Sequence, residues 1–362
     1  MSRARTFADL ATASEAGNLG QTNIIINGDM SVAQRGTSST SANYQTVDRF
    51  SIAFGTVSVT QSQQSLTSGS PYEAGFTNFV RMANTSTTSA AGAYVQLNQS
   101  IEGQHLTNSG WNFKSSSSFI TLSFWARSSL AGTYYARVNT DDGTVYYRIK
   151  AFALSADTWT KVTFTIEGNS NLTINDDNGL GLQVVIIPHY GTTFTGSNAS
   201  TTAWFTLVSN DYFPDFAQDW GNTSSATFDV TGVQLELGQV ATPYKHESFT
   251  DNLIRCRRYF QQYDATNAYT RFALGVAYDG STIAAPLNLP VQMRAAPTFG
   301  SSGNFDSFPD TIDLDTMSVQ HATAEMVEFR AVDSGNALTT NRPYIIRSDN
   351  DTSAKIQFIS EL

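Results

Sequence analysis

Apolar and polar side chains alternate through much of the chain between Thr22 and Glu247, and this period of two constrains the fold more than any other sequence feature. In Ser118–Arg127, every second residue is apolar. The same pattern recurs in residues 133–138, 145–151, 162–166 and 180–186. This period is typical of half-buried antiparallel strands. About ten such segments without a helical period predict a β-sandwich of jelly-roll type.

The predicted strands are separated by turn signals and carry one irregularity. Asp141–Gly143 and Asp176–Gly179 lie between alternating segments, and their Asp, Asn and Gly residues favour hairpin turns. The apolar phase established by Val230 shifts by one residue at Gly232 and continues from Val233. A phase shift at a glycine predicts a β-bulge.

Composition excludes several classes of protein. Only 14% of the 362 residues are charged, against about 25% in a usual soluble domain. The net charge of −10 argues against binding to nucleic acid or to an anionic membrane surface, since both need a basic footprint. No apolar stretch approaches the ~20 residues of a membrane span, so we expect no membrane insertion. Cys256 is the only cysteine, which excludes an intrachain disulfide and a zinc site of paired cysteines.

We divide the chain into four segments. Residues 1–22 form a short N-terminal helical segment for anchoring or oligomerisation, in which Phe7 and Leu10 have helical spacing, although a frayed terminus is the alternative. Residues 23–247 form the jelly-roll domain and residues 265–362 a smaller C-terminal β domain. Residues 248–264 form one short linking helix between them.

The linking helix is predicted from an apolar stripe with spacings of 4, 3, 4 and 3 residues. The stripe consists of Phe249, Leu253, Cys256, Phe260 and Tyr263. It can pack against its own sandwich, or it can form a seam around a three-fold axis. In the second case, Phe249, Leu253 and Phe260 belong to the oligomer interface together with Phe7 and Leu10.

No residue of the sequence is predicted to be catalytic. The four histidines are scattered, and no GxSxG elbow or P-loop is present. Carboxylates are numerous enough to leave room for a glycosidase pair. We therefore expect a protein that is not an enzyme and requires no cofactor.

Two groups of aromatic and basic residues are candidates for glycan binding. The first group is predicted on one outward sheet face and consists of Trp125, Arg127, Tyr135, Arg137, Tyr146 and Arg148. Aromatic rings can stack on the C–H face of a sugar, and arginines can donate to its hydroxyls or carboxylates. The alternative is that the other sheet or a sister subunit covers this face. The second group, Trp204, Tyr212 and Trp220, lies in the loop-rich residues 190–225.

Several short segments together resemble a known family. Asn23–Gly36 (NIIINGDMSVAQRG) and Thr46–Phe50 (TVDRF) are similar to the opening of receptor-binding and tail-fibre proteins of tailed phages, especially marine ones. Val230–Gly238 (VTGVQLELG) and Cys256–Phe260 (CRRYF) resemble the closing strand and helix of the same domain. The middle domain of these proteins is similar to jelly-roll carbohydrate-binding modules.

The resemblance implies a homotrimeric subunit of a virion tail appendage, made in the host cytoplasm. Its partners would be other tail proteins, through the N-terminal segment, and a glycan of the host cell surface. It also implies a structural calcium ion between the first and last strands, with Asp29 and Asp229 as the matching carboxylates. Two alternatives stay open: a structural adaptor or decoration protein of the virion, and a tail-borne glycan depolymerase.

Overall fold

The computed structural model describes residues 23–362, which divide into two compact units with a boundary between Asn252 and Leu253. Leu362 is grouped with the first unit. The predicted N-terminal segment, with Phe7 and Leu10, lies outside the described residues.

Unit 1 is built from strands β1 to β11 and two short helices. The strands are β1 Ser38–Ser39, β2 Ser51–Gly55, β3 Val59–Ser65, β4 Asn78–Asn84, β5 Tyr94–Glu102, β6 Phe119–Ser128, β7 Gly132–Thr140, β8 Tyr147–Leu154, β9 Thr160–Glu167, β10 Leu180–Tyr190 and β11 Thr227–Leu237. The helices are α1 Ser70–Glu73 and α2 Gly103–Thr107. Every pairing between these strands is antiparallel.

Two sheets form the sandwich of unit 1. The six-stranded sheet has the order β1-β3-β4-β11-β6-β9, and the five-stranded sheet has the order β2-β5-β10-β7-β8. One apolar core takes side chains from both sheets, including Leu122 and Phe124 from β6 and Val184 and Ile186 from β10. The predicted all-β jelly-roll sandwich is confirmed, because the alternating residues of each strand supply this core.

The bulge predicted at Gly232 is also confirmed. The pairing of β11 with β6 shifts register between Thr231 and Gln234, and Gly232 has a φ of +64°. A Cβ atom at this position would lie 2.6 Å from Cζ of Phe76. Glycine is therefore required both by the left-handed backbone and by the packing of Phe76.

The first described residues close the sandwich against its last strand. The backbone N–H of Ile24 donates to the carbonyl of Leu235 (3.0 Å), and the side chain of Asn23 donates to the carbonyl of Val233 (3.1 Å). Oδ1 of Asn23 accepts the N–H of Leu235 (2.9 Å). These contacts join residues about 210 positions apart in sequence.

The linking helix is shorter than predicted. α3 covers Phe249–Arg257, and the chain then enters β12, Phe260–Asp264, which pairs with the C-terminal strand. The apolar stripe continues past Arg257, but hydrogen bonds to a distant strand replace those of a helix there. Phe249 is 58% exposed, Leu253 is half-buried, and Phe260 is buried in unit 2. The prediction of a common interface is therefore wrong for Phe260.

Unit 2 contains ten strands and one apolar core among its described residues. The strands are β12 Phe260–Asp264, β13 Arg271–Ala277, β14 Thr282–Asn288, β15 Thr298–Ser302, β16 Phe305–Phe308, β17 Ile312–Asp313, β18 Thr316–Ala322, β19 Met326–Val332, β20 Pro343–Ser348 and β21 Lys355–Ile359. They form a three-stranded sheet, β12-β21-β15, and a seven-stranded sheet, β17-β16-β20-β13-β14-β19-β18. Phe299 and Phe329 stack between these sheets at 5.8 Å. Within residues 23–362, no helix is long and apolar enough to cross a membrane.

Candidate functional site

The glycan-binding face predicted on the β7–β8 hairpin does not form. Arg137 pairs with Ile149 and Val138 pairs with Arg148. Since directly opposite residues of an antiparallel pair share a face, Arg148 lies on the face opposite to Arg137. The prediction was wrong because it placed Arg148 on the same sheet face as Arg137. The connection after Thr140 is longer than a two-residue turn, so turn geometry does not fix the register between β7 and β8.

Tyr146 and Arg148 instead belong to the edge of the sandwich. Arg148 forms an ion pair with Glu167 of β9 (3.2 Å) and donates to the carbonyl of Thr201 (3.0 Å). Tyr146 is half-buried and packs against the sandwich core. Both side chains therefore connect structural elements and do not form an open sugar platform.

Residues 191–226 cover the outer face of the five-stranded sheet, so Tyr135 and Arg137 are buried. The hydroxyl of Tyr135 donates to the carbonyl of Asp215 (3.2 Å), and its ring contacts Phe213. The guanidinium of Arg137 lies over the rings of Tyr212 and Phe213, at 5.5 and 5.4 Å. The alternative that this face is covered is the correct one, and the cover comes from the same chain.

Of the aromatic residues predicted as a loop surface, Tyr212 packs in this cover, whereas Trp204 and Trp220 pack in the core between the two sheets. Trp220 is fully buried, and Tyr212 is half-buried against Arg137. Nε1 of Trp204 donates to the carbonyl of Glu167 (2.8 Å), which fixes the ring against the sandwich. The three rings consequently do not form an exposed binding surface.

The outer face of the six-stranded sheet carries a row of three charged residues, which we call the arginine row: Arg81 on β4, Asp229 on β11 and Arg127 on β6. Asp229 is directly opposite both arginines in the strand register. Nε and Nη2 of Arg81 donate to its two carboxylate oxygens (2.8 and 2.9 Å). Nε and Nη2 of Arg127 both donate to Oδ2 (2.9 and 2.7 Å). The row carries a net charge of +1 on a protein of net charge −10.

Aromatic rings support the arginine row. The guanidinium of Arg127 lies 4.7 Å from the ring centre of Trp159, and that of Arg81 lies 5.4 Å from the ring centre of Phe79. Phe79 and Trp159 pack edge to face at 5.6 Å. Trp125 lies two residues before Arg127 on the same face of β6 and packs partly buried against the same small apolar cluster. Ring stacking holds both guanidinium planes in position.

The arginines can still accept a ligand. The side chains of Arg81 and Arg127 are 31% and 25% exposed, whereas that of Asp229 is 1% exposed. The hydrogen bond to Asp229 raises the pKa of Arg81, against the opposing effect of burial. The four contacts with Asp229 use Nε and Nη2, which leaves Nη1 of each arginine directed away from the carboxylate. Such N–H groups suit the hydroxyl or carboxylate oxygens of an acidic sugar.

The residues do not fit the calcium site implied by the resemblance. Both carboxylate oxygens of Asp229 already accept hydrogen bonds from two cationic side chains, which would repel Ca²⁺. Oδ1 of Asp29 accepts hydrogen bonds from the hydroxyl of Ser31 (3.0 Å) and from the amide of Asn252 (3.0 Å). Within the described residues, no three His, Cys, Asp or Glu side chains form a group that could hold a metal ion.

Trp125 and Arg127 were among the residues predicted from the sequence, whereas Arg81, Phe79 and Trp159 were not. Phe79 and Arg81 flank the buried Val80 in a short alternating segment. The alternation therefore predicts that both side chains point outward from the sheet. Trp159 offered no such signal, because it precedes β9 and its position over Arg127 depends on the tertiary fold.

No protein-family model and no curated protein matches the chain. Solved structures that match include a cyclase from Fischerella sp. TAU in complex with 4-(1H-indol-3-yl)butan-2-one, with a TM-score of 0.35 and 9% identity over 61% of this chain and all of that chain. A family 4 carbohydrate-binding module matches with a TM-score of 0.31 and 12% identity, over 58% of this chain and 97% of that one. The N-terminal cellulose-binding domain of Cellulomonas fimi β-1,4-glucanase C matches with a TM-score of 0.29 and 14% identity, over 58% of this chain and 100% of that domain. At these values, no activity transfers to this chain.

Proposed function

We propose that this chain is a non-catalytic adhesion subunit that binds an acidic glycan of a cell surface through the arginine row. The observation that carries the proposal is the pair of partly exposed guanidiniums, which Asp229 and aromatic rings hold in fixed positions. A preorganised cation loses little conformational entropy when a carboxylate binds to it. The partly buried rings of Trp125 and Trp159 add apolar contact beside the charged groups.

We further propose that the chain acts as a homotrimer in the tail appendage of a phage. The resemblance of Asn23–Gly36 and Val230–Gly238 to tail-fibre proteins supports this assignment. Three copies in one fibre would raise the avidity of a weak site through effective concentration. The N-terminal segment would join the other tail proteins, and the glycan would belong to the host surface.

A glycan array probed with the purified full chain tests this function. We expect binding to glycans with carboxylate-bearing sugars, and a loss of about tenfold or more for Arg81→Gln or Arg127→Gln. Each substitution leaves one arginine on Asp229, so the sheet keeps a counterion for that carboxylate. Arg342→Gln is the control, because Arg342 is a similarly exposed arginine that forms an ion pair with Asp310 in unit 2.

Two outcomes would contradict the proposal. Equal binding by the wild type and both arginine variants would exclude the arginine row as the site. Release of reducing sugar from host capsule or lipopolysaccharide would contradict a non-catalytic role and favour a depolymerase. Wild-type fluorescence spectra for the variants would show that lost binding is not lost folding.

A further inference from the structure

A pocket of about 300 Å³ lies at the end of β10, where three segments of unit 1 meet. It is lined by residues 89–91, by residues 189–192 with Thr195, and by residues 215–219. The second segment starts at the end of β10 and continues into the cover over the five-stranded sheet, to which the third segment also belongs. The volume is at the lower end of the range for small-ligand sites, ~300–1,000 Å³.

Two side chains of the pocket have polar atoms that no group of the described chain satisfies. His189 is 7% exposed, and its Nδ1 has no hydrogen-bond partner. Gln218 has neither a donor for its Oε1 nor an acceptor for its Nε2. A buried polar atom without a partner costs about 1–3 kcal/mol, so these groups favour any ligand that can bond to them.

The charge of the pocket restricts what that ligand can be. Asp215 and Asp219 are exposed at its rim, and no lysine or arginine lines it. Burial lowers the pKa of His189, with a smaller opposing effect from Asp219, so the imidazole adds no positive charge near neutral pH. An acidic ligand would meet two carboxylates without a counter-charge, whereas hydroxyl groups can donate to them.

The carboxylates are held in place but keep free oxygens. Oδ1 of Asp215 accepts the hydroxyl of Thr195 (2.6 Å), and Oδ1 of Asp219 accepts the N–H of Asn222 (3.2 Å). Each therefore retains Oδ2 for a ligand. The ring of Phe216 lines the same pocket and packs 6.3 Å from the imidazole of His189, which supplies an apolar wall.

We infer that this pocket binds a neutral, hydroxyl-rich ligand, a single pyranose unit, as a site separate from the arginine row. Vicinal hydroxyls would donate to Asp215 and Asp219, and the amide of Gln218 and Nδ1 of His189 would satisfy the remaining oxygens. The C–H face of the ring would lie against Phe216. The inference goes beyond the proposed function, because the pocket disfavours the acidic sugars that the arginine row favours.

Titration of the full chain with small glycosides, followed by saturation-transfer and ¹⁵N-histidine NMR, tests the inference. The probes are methyl glycosides of neutral hexoses, the corresponding uronic acids, and protonated amino sugars. We expect saturable binding of at least one neutral hexoside, with a shift of the His189 imidazole signal, and no binding of its uronic acid at the pocket. Gln218→Leu should weaken binding about tenfold. Arg342→Gln, a substitution in unit 2, should leave it unchanged.

Asp219→Asn is a second variant, which tests the pocket even if Gln218→Leu does not fold. Asp219 is exposed, and asparagine keeps the oxygen that accepts from Asn222. We expect this variant to fold normally and to bind the hexoside several-fold more weakly. The inference is wrong if no neutral hexoside shifts His189, if only amino sugars bind, or if neither variant changes the affinity. None of these results bears on glycan binding by the arginine row.

Discussion

Asp229 pairs with two arginines that lie side by side on an outer sheet face. Removal of its negative charge should therefore make the two guanidinium groups repel each other. Asp229→Asn would leave Arg81 and Arg127 together without their shared counter-charge. We expect the free energy of unfolding of unit 1 to fall by about 2 kcal/mol, less than the ~3–5 kcal/mol of a fully buried pair, because both arginines are partly exposed. Urea denaturation followed by tryptophan fluorescence measures this quantity, since every tryptophan of the chain lies in unit 1. The five are Trp111, Trp125, Trp159, Trp204 and Trp220.

Asp157→Asn is the control for that measurement. Asp157 also acts electrostatically on Arg81, but it is exposed and belongs to no ion pair in the described chain. Its φ of +55° is one that asparagine tolerates as well as aspartate does. The change should remain within about 0.5 kcal/mol. Equal destabilisation by both variants would mean that general charge, and not the arginine row, is responsible.

His189 should make unit 1 less stable in mild acid. Burial lowers the pKa of His189 in the folded state, so the unfolded chain takes up a proton more readily. The stabilising effect of the neutral imidazole is complete above the unfolded pKa of about 6.5 and is lost as the pH falls below it. Urea titrations between about pH 7.5 and 5 should show a shallower pH dependence for His189→Gln than for the wild type. Parallel profiles would show that His189 does not titrate with unfolding.

Individual residues illustrate how far the sequence predicts the candidate site. Trp125 and Arg127 were assigned correctly to one outward face, because alternation within β6 is a local property. The facing of Arg148 was wrong, since it depends on the pairing of β8 with β7 across a connection whose geometry alternation does not encode. The role of Asp229 was also hidden, because its two partners come from strands that are distant in sequence.

At the scale of elements, residues 191–226 act as a packed layer over the five-stranded sheet, although they contain no long strand or helix. Phe213 is fully buried in this layer and contacts the rings of Tyr135 and Tyr190 at 5.8 and 5.2 Å. Phe213→Ala should therefore lower the free energy of unfolding of unit 1 by about 3–5 kcal/mol. Tryptophan fluorescence in urea measures the change.

Val208→Ala is the matched substitution in the same segment. Val208 is 51% exposed, so its truncation should change the free energy of unfolding by less than about 0.5 kcal/mol. If the segment were a mobile binding loop, both substitutions would change the free energy of unfolding by a similar, small amount. That result would contradict the description of this segment as part of the core.

The elements themselves were predicted well where local pattern decides them. β6 begins at Phe119, within one residue of the start of the alternating segment Ser118–Arg127. Local pattern did not decide the residues beyond Arg257, where the predicted helix is replaced by strand β12. β12 pairs with β21, which joins residues about 95 positions apart.

At the scale of the whole molecule, unit 2 exposes an apolar surface that the proposed homotrimer would cover. Leu274 and Val276 of β13, in the middle of the seven-stranded sheet, are 63% and 47% exposed. Their direct cross-strand neighbours are Ile345 and Pro343, which add to an outward apolar face. Contiguous apolar patches on a protein surface can mark contacts with another protein molecule.

Light scattering at micromolar concentration tests the assembly. We expect a mass three times the 39.4 kDa of one chain. The double variant Leu274→Glu, Val276→Glu should reduce this mass, because charges would have to be buried in the contact. Val240→Glu, at an exposed position in unit 1, should not change it. A monomeric wild type would rule out the trimer.

The position of β11 has a consequence for synthesis on the ribosome. This strand is the last of unit 1 to be made, yet it lies between β4 and β6 in the centre of the six-stranded sheet. A nascent chain that ends before Thr227 can form only two half-sheets, each with a bare strand edge open to strands of other molecules. Prematurely terminated fragments should therefore aggregate. Insertion of β11 between β4 and β6 joins the two half-sheets and covers their exposed strand edges.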